Sequence, residues 1–182
     1  MGGGNWVVTK DITLRENLME KNRFSTKQRM FSLMRQRIST LNEEELNILI
    51  DGNMAARRQI VLLAICKAHS FIFDFIRNNV REAFYSMREM VTYADFNEFF
   101  NEQKFIHPEL EAASESTIAK TRQVVFRVME QTELIESTET GIMRRPYLSE
   151  LTERVIAKDN PAWLSIYLYS NNEIARLANI YV

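Results

Sequence analysis

Residues Asn53 to Ala68 read NMAARRQIVLLAICKA, and every position from Ile60 to Cys66 is apolar. A surface helix needs only one apolar stripe, whereas a helix apolar on most sides has to be enclosed by other elements. The segment therefore predicts a central core helix with the rest of the chain wrapped around it. The apolar run is far shorter than the roughly 20 residues needed to span a bilayer. No membrane span is expected, and a soluble cytoplasmic chain is. Cys66, the single cysteine, lies inside the run, which points to a buried thiol and excludes an internal disulfide.

The remaining segments read mostly as helix. Five glycines and three prolines are few for 182 residues, which argues against long loops and all-β folds. Helix is predicted from Asp11 to Glu20 and again after Arg23, with Ser25 or Thr26 as cap and Phe31, Met34, Ile38 and Leu41 as core stripe. Lys27, Arg29 and Arg35 stand off that stripe and are candidate phosphate contacts. Asn42 caps a helix whose first turn holds Glu43, Glu44 and Glu45, where exposed amides favour negative charge. Gly52 ends it. Helices follow over Ser70 to Met87 and after the possible cap Thr92, and His107-Pro108 closes this region. Residues 1–10 are expected to be an unstructured or expression-derived start, 11–108 a helical domain and 109–182 a second domain.

That second part carries the strongest functional pattern. Residues 116–145 read STIAKTRQVVFRVMEQTELIESTETGIMRR. At helical phase, Ile118, Thr121, Val125, Val128 and Met129 fall on one side. Lys120, Gln123 and Arg127 fall on the other, with Arg122 on the flank. Leu134 and Ile135 can pair with Ile142 and Met143 across a turn at Thr138–Gly141, leaving Arg144 and Arg145 at the edge. This order predicts a winged helix-turn-helix module with a small β-hairpin, attached to a mainly α, bundle-like core. Arginine and glutamine can meet both phosphates and base edges, so Gln123 is the candidate base reader and Lys120 and Arg127 the phosphate contacts. A solvated face or a protein-binding face fits the same pattern. Glu130, Glu133, Glu136 and Glu139 would repel phosphate if they shared that surface.

The net charge of -1 hides a segregation. Lys21 to Arg81 holds eleven basic and five acidic residues, a balance of +6, while Glu89 to Glu115 holds seven acids and only Lys104, a balance of -6. A basic half can steer a phosphate backbone even in a near-neutral chain. The two histidines and one cysteine form no metal-binding motif, and no catalytic constellation appears. The expectation is a non-enzymatic protein without metal or cofactor.

The runs ENLMEKNRFSTKQRMFSLMRQRISTL, LLAICKAHSFIFDFIRNNVRE and ESTIAKTRQVVFRVMEQTELI resemble, in order and spacing, the BrxA family of the BREX phage-defence system, over about Leu14 to Leu168. The resemblance implies an accessory subunit, helical and DNA-binding, with double-stranded DNA and other proteins of the defence system as partners. The family's Glu-Ser-Thr pattern falls on Glu115, Ser116 and Thr117, and its arginine-containing helix on Arg122 and Arg127. Its usual alanine-glycine pair is replaced by Thr132 and Glu133. Two alternatives stand beside this reading: an RNA-binding helical protein of NusB-like type, and an assembly adaptor that binds no nucleic acid.

Overall fold

The structure, a computed structural model, describes residues 6–20 and 23–181. Residues 1–5 of the expected unstructured start lie outside it, and from Trp6 the chain is already helical. α1 covers Trp6–Arg15 and α2 Phe24–Ile38. The ring of Trp6 meets Phe31 edge-on at 6.2 Å. α2 begins after Arg23, with no side-chain cap from Ser25 or Thr26. Of its expected core stripe, Phe31 is buried but Met34 is 47% exposed. The helix packs on α1 and on α4 (Met54–Ala68), so two neighbours cover a narrower stripe than an enclosed helix would bury.

α3 spans Glu43–Asp51. Asn42 closes a reciprocal capping box with Glu45, each side chain taking the other's backbone amide at 2.9 Å. α4 is the central helix that its composition predicts. Ile60, Leu62 and Leu63 are fully enclosed, and α2, α3, α5 and α8 all pack on α4. α5 (Ser70–Phe75) leads through a π-helical turn at Ile76–Val80 into α6 (Arg81–Tyr85). α7 (Tyr93–Ile106) starts at the Thr92 capping box. A 3-10 turn at Pro108–Leu110 precedes α8 (Glu115–Gln131), and α9 (Glu150–Asp159), a 3-10 segment (Pro161–Tyr167) and α10 (Asn171–Tyr181) complete the chain.

Core residues on both sides of Pro108, from Leu41 to Leu177, join one hydrophobic cluster. No single helix among the described residues is long and apolar enough to cross a membrane. The apolar pair on either side of His69 is bent by 114°, and much of it is buried in this cluster.

The mainly helical bundle is present, but the winged module is not. Among the described residues there is no β-strand; Ile135–Met143 and Met90–Ile142 are isolated antiparallel bridges. The pairing stays short because the Leu134 and Ile135 N–H groups turn back to the Met129 carbonyl at the end of α8, at 2.8 and 3.3 Å. Glu136 N–H donates to the Ile142 carbonyl at 2.8 Å and Arg144 N–H to that of Leu134 at 2.8 Å. The other edge of the return segment is taken by residues 89–91: Val91 N–H donates to the Gly141 carbonyl and Met143 N–H to that of Glu89, both at 3.0 Å. Pro146 has no N–H to extend the pairing. Leu134, Ile135 and Met143 sink into the core instead of standing on a protruding wing.

Gly141 holds this crossing together. Its φ is +63°, and a Cβ there would sit 2.1 Å from the Val91 carbonyl oxygen. Gly141→Ala is expected to destabilise the protein by at least about 1–2 kcal/mol, the cost of the left-handed backbone alone. Thr138→Ala in the same turn should stay within roughly 0.5 kcal/mol. Urea midpoints of the two variants check the contrast.

Candidate functional site

α8 is positioned by its own amphipathicity. Ser114 caps it, with its Oγ accepting the Thr117 amide at 3.3 Å. Val125, Phe126, Val128 and Met129 are buried. On the opposite stripe Lys120, Gln123 and Arg127 are all exposed, three and four residues apart. Neither cation takes part in any ion pair among the described residues, in contrast to Arg58, Arg144 and Arg145.

The other candidates are placed differently. Arg122 turns toward α7, where its Nη1 donates to Asn97 Oδ1 at 2.8 Å and its guanidinium lies 4.5 Å from the centre of the Tyr93 ring. Its Nε is buried without a partner. Arg144 is paired with Glu136 at 2.6 Å. Arg145 is paired with Glu173 at 2.7 Å and lies 4.5 Å from the Tyr169 ring centre. The two arginines expected at a wing edge are thus held by carboxylates. Arg29 and Arg35 are exposed and Lys27 half-buried on α2, with the Arg35 guanidinium 5.5 Å from the Trp6 ring centre. The reading of this region as a recognition helix with a wing is therefore corrected: the described residues hold no strand to build the wing, and its arginines are engaged elsewhere.

The acids that threatened to repel phosphate are partly neutralised. Glu133 pairs with Arg58 of α4 and Glu136 with Arg144, while Glu130 accepts the Thr138 amide at 3.3 Å. Burial pushes the Glu173 carboxyl up, but the Arg145 guanidinium and two hydrogen bonds from Ser170 outweigh it and hold the group at about 2. A carboxyl depressed on folding contributes stability above its unfolded value, and that contribution is lost as pH falls toward the folded one. Acid unfolding between about pH 4.5 and 2 should be flatter for Glu173→Gln than for the parent. A thermal-melt series across that window measures it.

Sequence reasoning missed the buried ionic group at the other end of the core. Glu45, one of the acidic triplet at a helix start, is fully enclosed, and both its oxygens meet Lys67 Nζ, at 2.7 and 2.8 Å. The only signal was a lysine at the end of an otherwise apolar run. Burial pushes the Cys66 thiol up, away from reactivity, and burial followed by the Arg37 charge lowers the His69 imidazole. Among the described residues no three His, Cys, Asp or Glu side chains gather as a metal cluster.

This architecture has known counterparts. The chain resembles an uncharacterized protein from Magnetospirillum magneticum of known crystal structure, with a TM-score of 0.71 at 19% identity, over 92% of this chain and 95% of that one. It is 22% identical over 142 residues to the BREX protein BrxA of Escherichia coli O9:H4 (strain HS), covering 78% of this chain and 67% of that protein. It is 26% identical over 120 residues to the BREX protein BrxA of Bacillus cereus (strain H3081.97), covering 66% of this chain and 60% of that one. The BrxA family model matches residues 2–160, most of the chain and all the elements from α1 to α9. The chain belongs to the BrxA family of BREX phage-defence proteins.

Proposed function

We propose that the chain is a non-enzymatic accessory component of a BREX phage-defence system that contacts the phosphate backbone of double-stranded DNA along the outer face of α8. The observation that carries this reading is the exposed stripe of Lys120, Gln123 and Arg127, whose two cations have no carboxylate partner among the described residues. An unpaired exposed cation pays no ion-pair penalty on meeting a phosphate, and it releases condensed counterions from the DNA. The two cations meet phosphates as point charges, and phosphate contacts carry no sequence information, so binding is largely independent of sequence. Other proteins of the defence system are its expected partners, in line with the family of its relatives.

The test is duplex binding across a salt series. Lys120→Ala/Arg127→Ala is expected to weaken binding and to reduce the salt slope by about 0.9 for each lost phosphate contact. Gln123→Ala should change affinity little. Arg144→Ala/Arg145→Ala should leave the slope intact, because those side chains are already paired. A well-folded Lys120→Ala/Arg127→Ala variant that binds like the parent would remove α8 from the mechanism, and no binding at low salt would end the proposal. Single-stranded RNA of matched length, run in parallel, separates this reading from an RNA-binding one.

A further inference from the structure

Two half-buried cations on neighbouring helices line one cavity, and neither is paired with a carboxylate among the described residues. α7 and α8 pack against each other. Asn97, Asn101 and Lys104 of α7 and Glu115, Ala119 and Arg122 of α8 enclose about 220 Å³. Both sets are spaced by four and then three residues, so each helix turns a single stripe toward the gap. Lys104 and Arg122 are half-buried. The Lys104 ammonium lies 5.5 Å from the Phe100 ring centre, and the Arg122 guanidinium 4.5 Å from that of Tyr93. Lys67, Arg81 and Arg145, by contrast, each meet a carboxylate.

A cation drawn out of water needs an anion or a full set of hydrogen bonds in exchange. Here both are incomplete. Arg122 Nη1 is committed to Asn97 Oδ1, while its Nε is buried with no acceptor. Because the Asn97 oxygen accepts that bond, its amide nitrogen is left to donate, and Asn101 offers a second side-chain amide. The wall is rich in donors and carries two positive charges from two sides. Its one acid, Glu115, is exposed, so its side chain is free to turn to water. Glu98 and Glu102, the exposed acids of α7, stand about 100° and 140° around that helix from Asn97, off the cavity.

We propose that this cavity binds a phosphomonoester, with Lys104 and Arg122 answering its charge and Asn97 and Asn101 donating to its oxygens. Near neutral pH such a group carries a charge of about −1.5 to −2 and three strong acceptor oxygens. That matches two cations and two amides. A phosphodiester, with a single negative charge, leaves one of the cations unanswered. The cavity is smaller than the roughly 300 Å³ at which drug-sized sites begin. It therefore suits the phosphate head of a ligand whose remainder projects toward solvent. The site is separate from the exposed stripe of α8: Arg122 lies about 160° around the helix from Lys120. None of this depends on DNA binding.

NMR signals of the Asn97 and Asn101 side-chain amides, followed during titration at constant ionic strength, test the proposal. Inorganic phosphate and phenyl phosphate should each move both signals to saturation, and sodium chloride should not. Dimethyl phosphate, a diester, should bind about tenfold more weakly than phenyl phosphate. Lys104→Ala should weaken phenyl phosphate binding about tenfold, the loss of one charge-assisted contact. If that variant loses its helical circular dichroism, Lys104→Gln keeps the stem and makes the same test. Asn101→Asp puts a carboxylate between the cations in the ligand's place. It should abolish the response of Asn97 and raise the urea midpoint of the free protein. Duplex binding and its salt slope should be the same in these variants as in the parent. Signals that phosphate moves no more than chloride does overturn the proposal. So does phosphate binding that the variants leave unchanged, and an equal response to dimethyl phosphate overturns the monoester.

Discussion

Replacing Lys67 by alanine is expected to cost about 3–5 kcal/mol of stability, because it leaves a buried carboxylate without its counter-ion. The Glu45 side chain is 0% exposed and that of Lys67 only 8%. Besides both Glu45 oxygens, the ammonium meets Asp159 Oδ2 at 2.8 Å. The Trp163 indole N–H donates to the same Asp159 carboxylate at 3.0 Å, and the Trp163 ring lies 5.9 Å from the ammonium. One lysine on α4 therefore ties α3 and α9 to the central helix. Without it, Glu45 keeps only its hydrogen bond from the Asn42 amide. The double variant Glu45→Gln/Lys67→Met should recover a large part of the loss, since it removes the charge and its partner together. Urea unfolding with an unchanged slope reads both effects. A loss below about 1 kcal/mol for Lys67→Ala would show that other groups satisfy the carboxylate.

Phe75→Ala is expected to have an effect of similar size, about 3–5 kcal/mol, through a cavity rather than a charge. The Phe75 side chain is fully enclosed. Its ring meets Phe96 at 5.3 Å and an interplanar angle of 72°, Phe99 at 5.4 Å and Phe126 at 6.4 Å. It thus joins α5 to α7 and α8, next to the π-helical turn, and rings on two separate helices cannot all close in on the space it leaves. Phe105→Ala, at the exposed end of α7, should shift the midpoint by no more than roughly 0.5 kcal/mol. If the two substitutions cost the same, the aromatic cluster does not hold the helices together as described.

Much of the local structure was legible in the residues. The apolar run of Ile60 to Cys66 announced an enclosed helix, because a segment with no polar side has no surface to offer water. Asn42 and Thr92 announced helix starts, because their side chains satisfy amides three residues away and the partner is fixed by sequence distance. The stripe of Lys120, Gln123 and Arg127 was legible for the same reason: helical phase alone puts those side chains together and away from Val125 and Met129. The family tie was legible too, carried by the order of three long runs.

What lay outside the sequence was every pairing between distant segments. Leu134, Ile135, Ile142 and Met143 have the composition of a hairpin, but the Leu134 and Ile135 amides turn back to the Met129 carbonyl at the end of α8, and residues 89–91, some fifty positions earlier, pair with the other edge of the return segment. Arg144 and Arg145 read as free cations until the fold brings Glu136 and Glu173 beside them. Arg122 read as a flanking contact until α7 supplied Asn97 and Tyr93. Glu45 and Lys67, 22 residues apart, became a buried pair only through the packing of α3 on α4. Helix phase and caps depend on contacts within four residues, so the amino-acid order determines them. Charge partners, edge pairing and exposure depend on which helices meet, and the tertiary structure decided those.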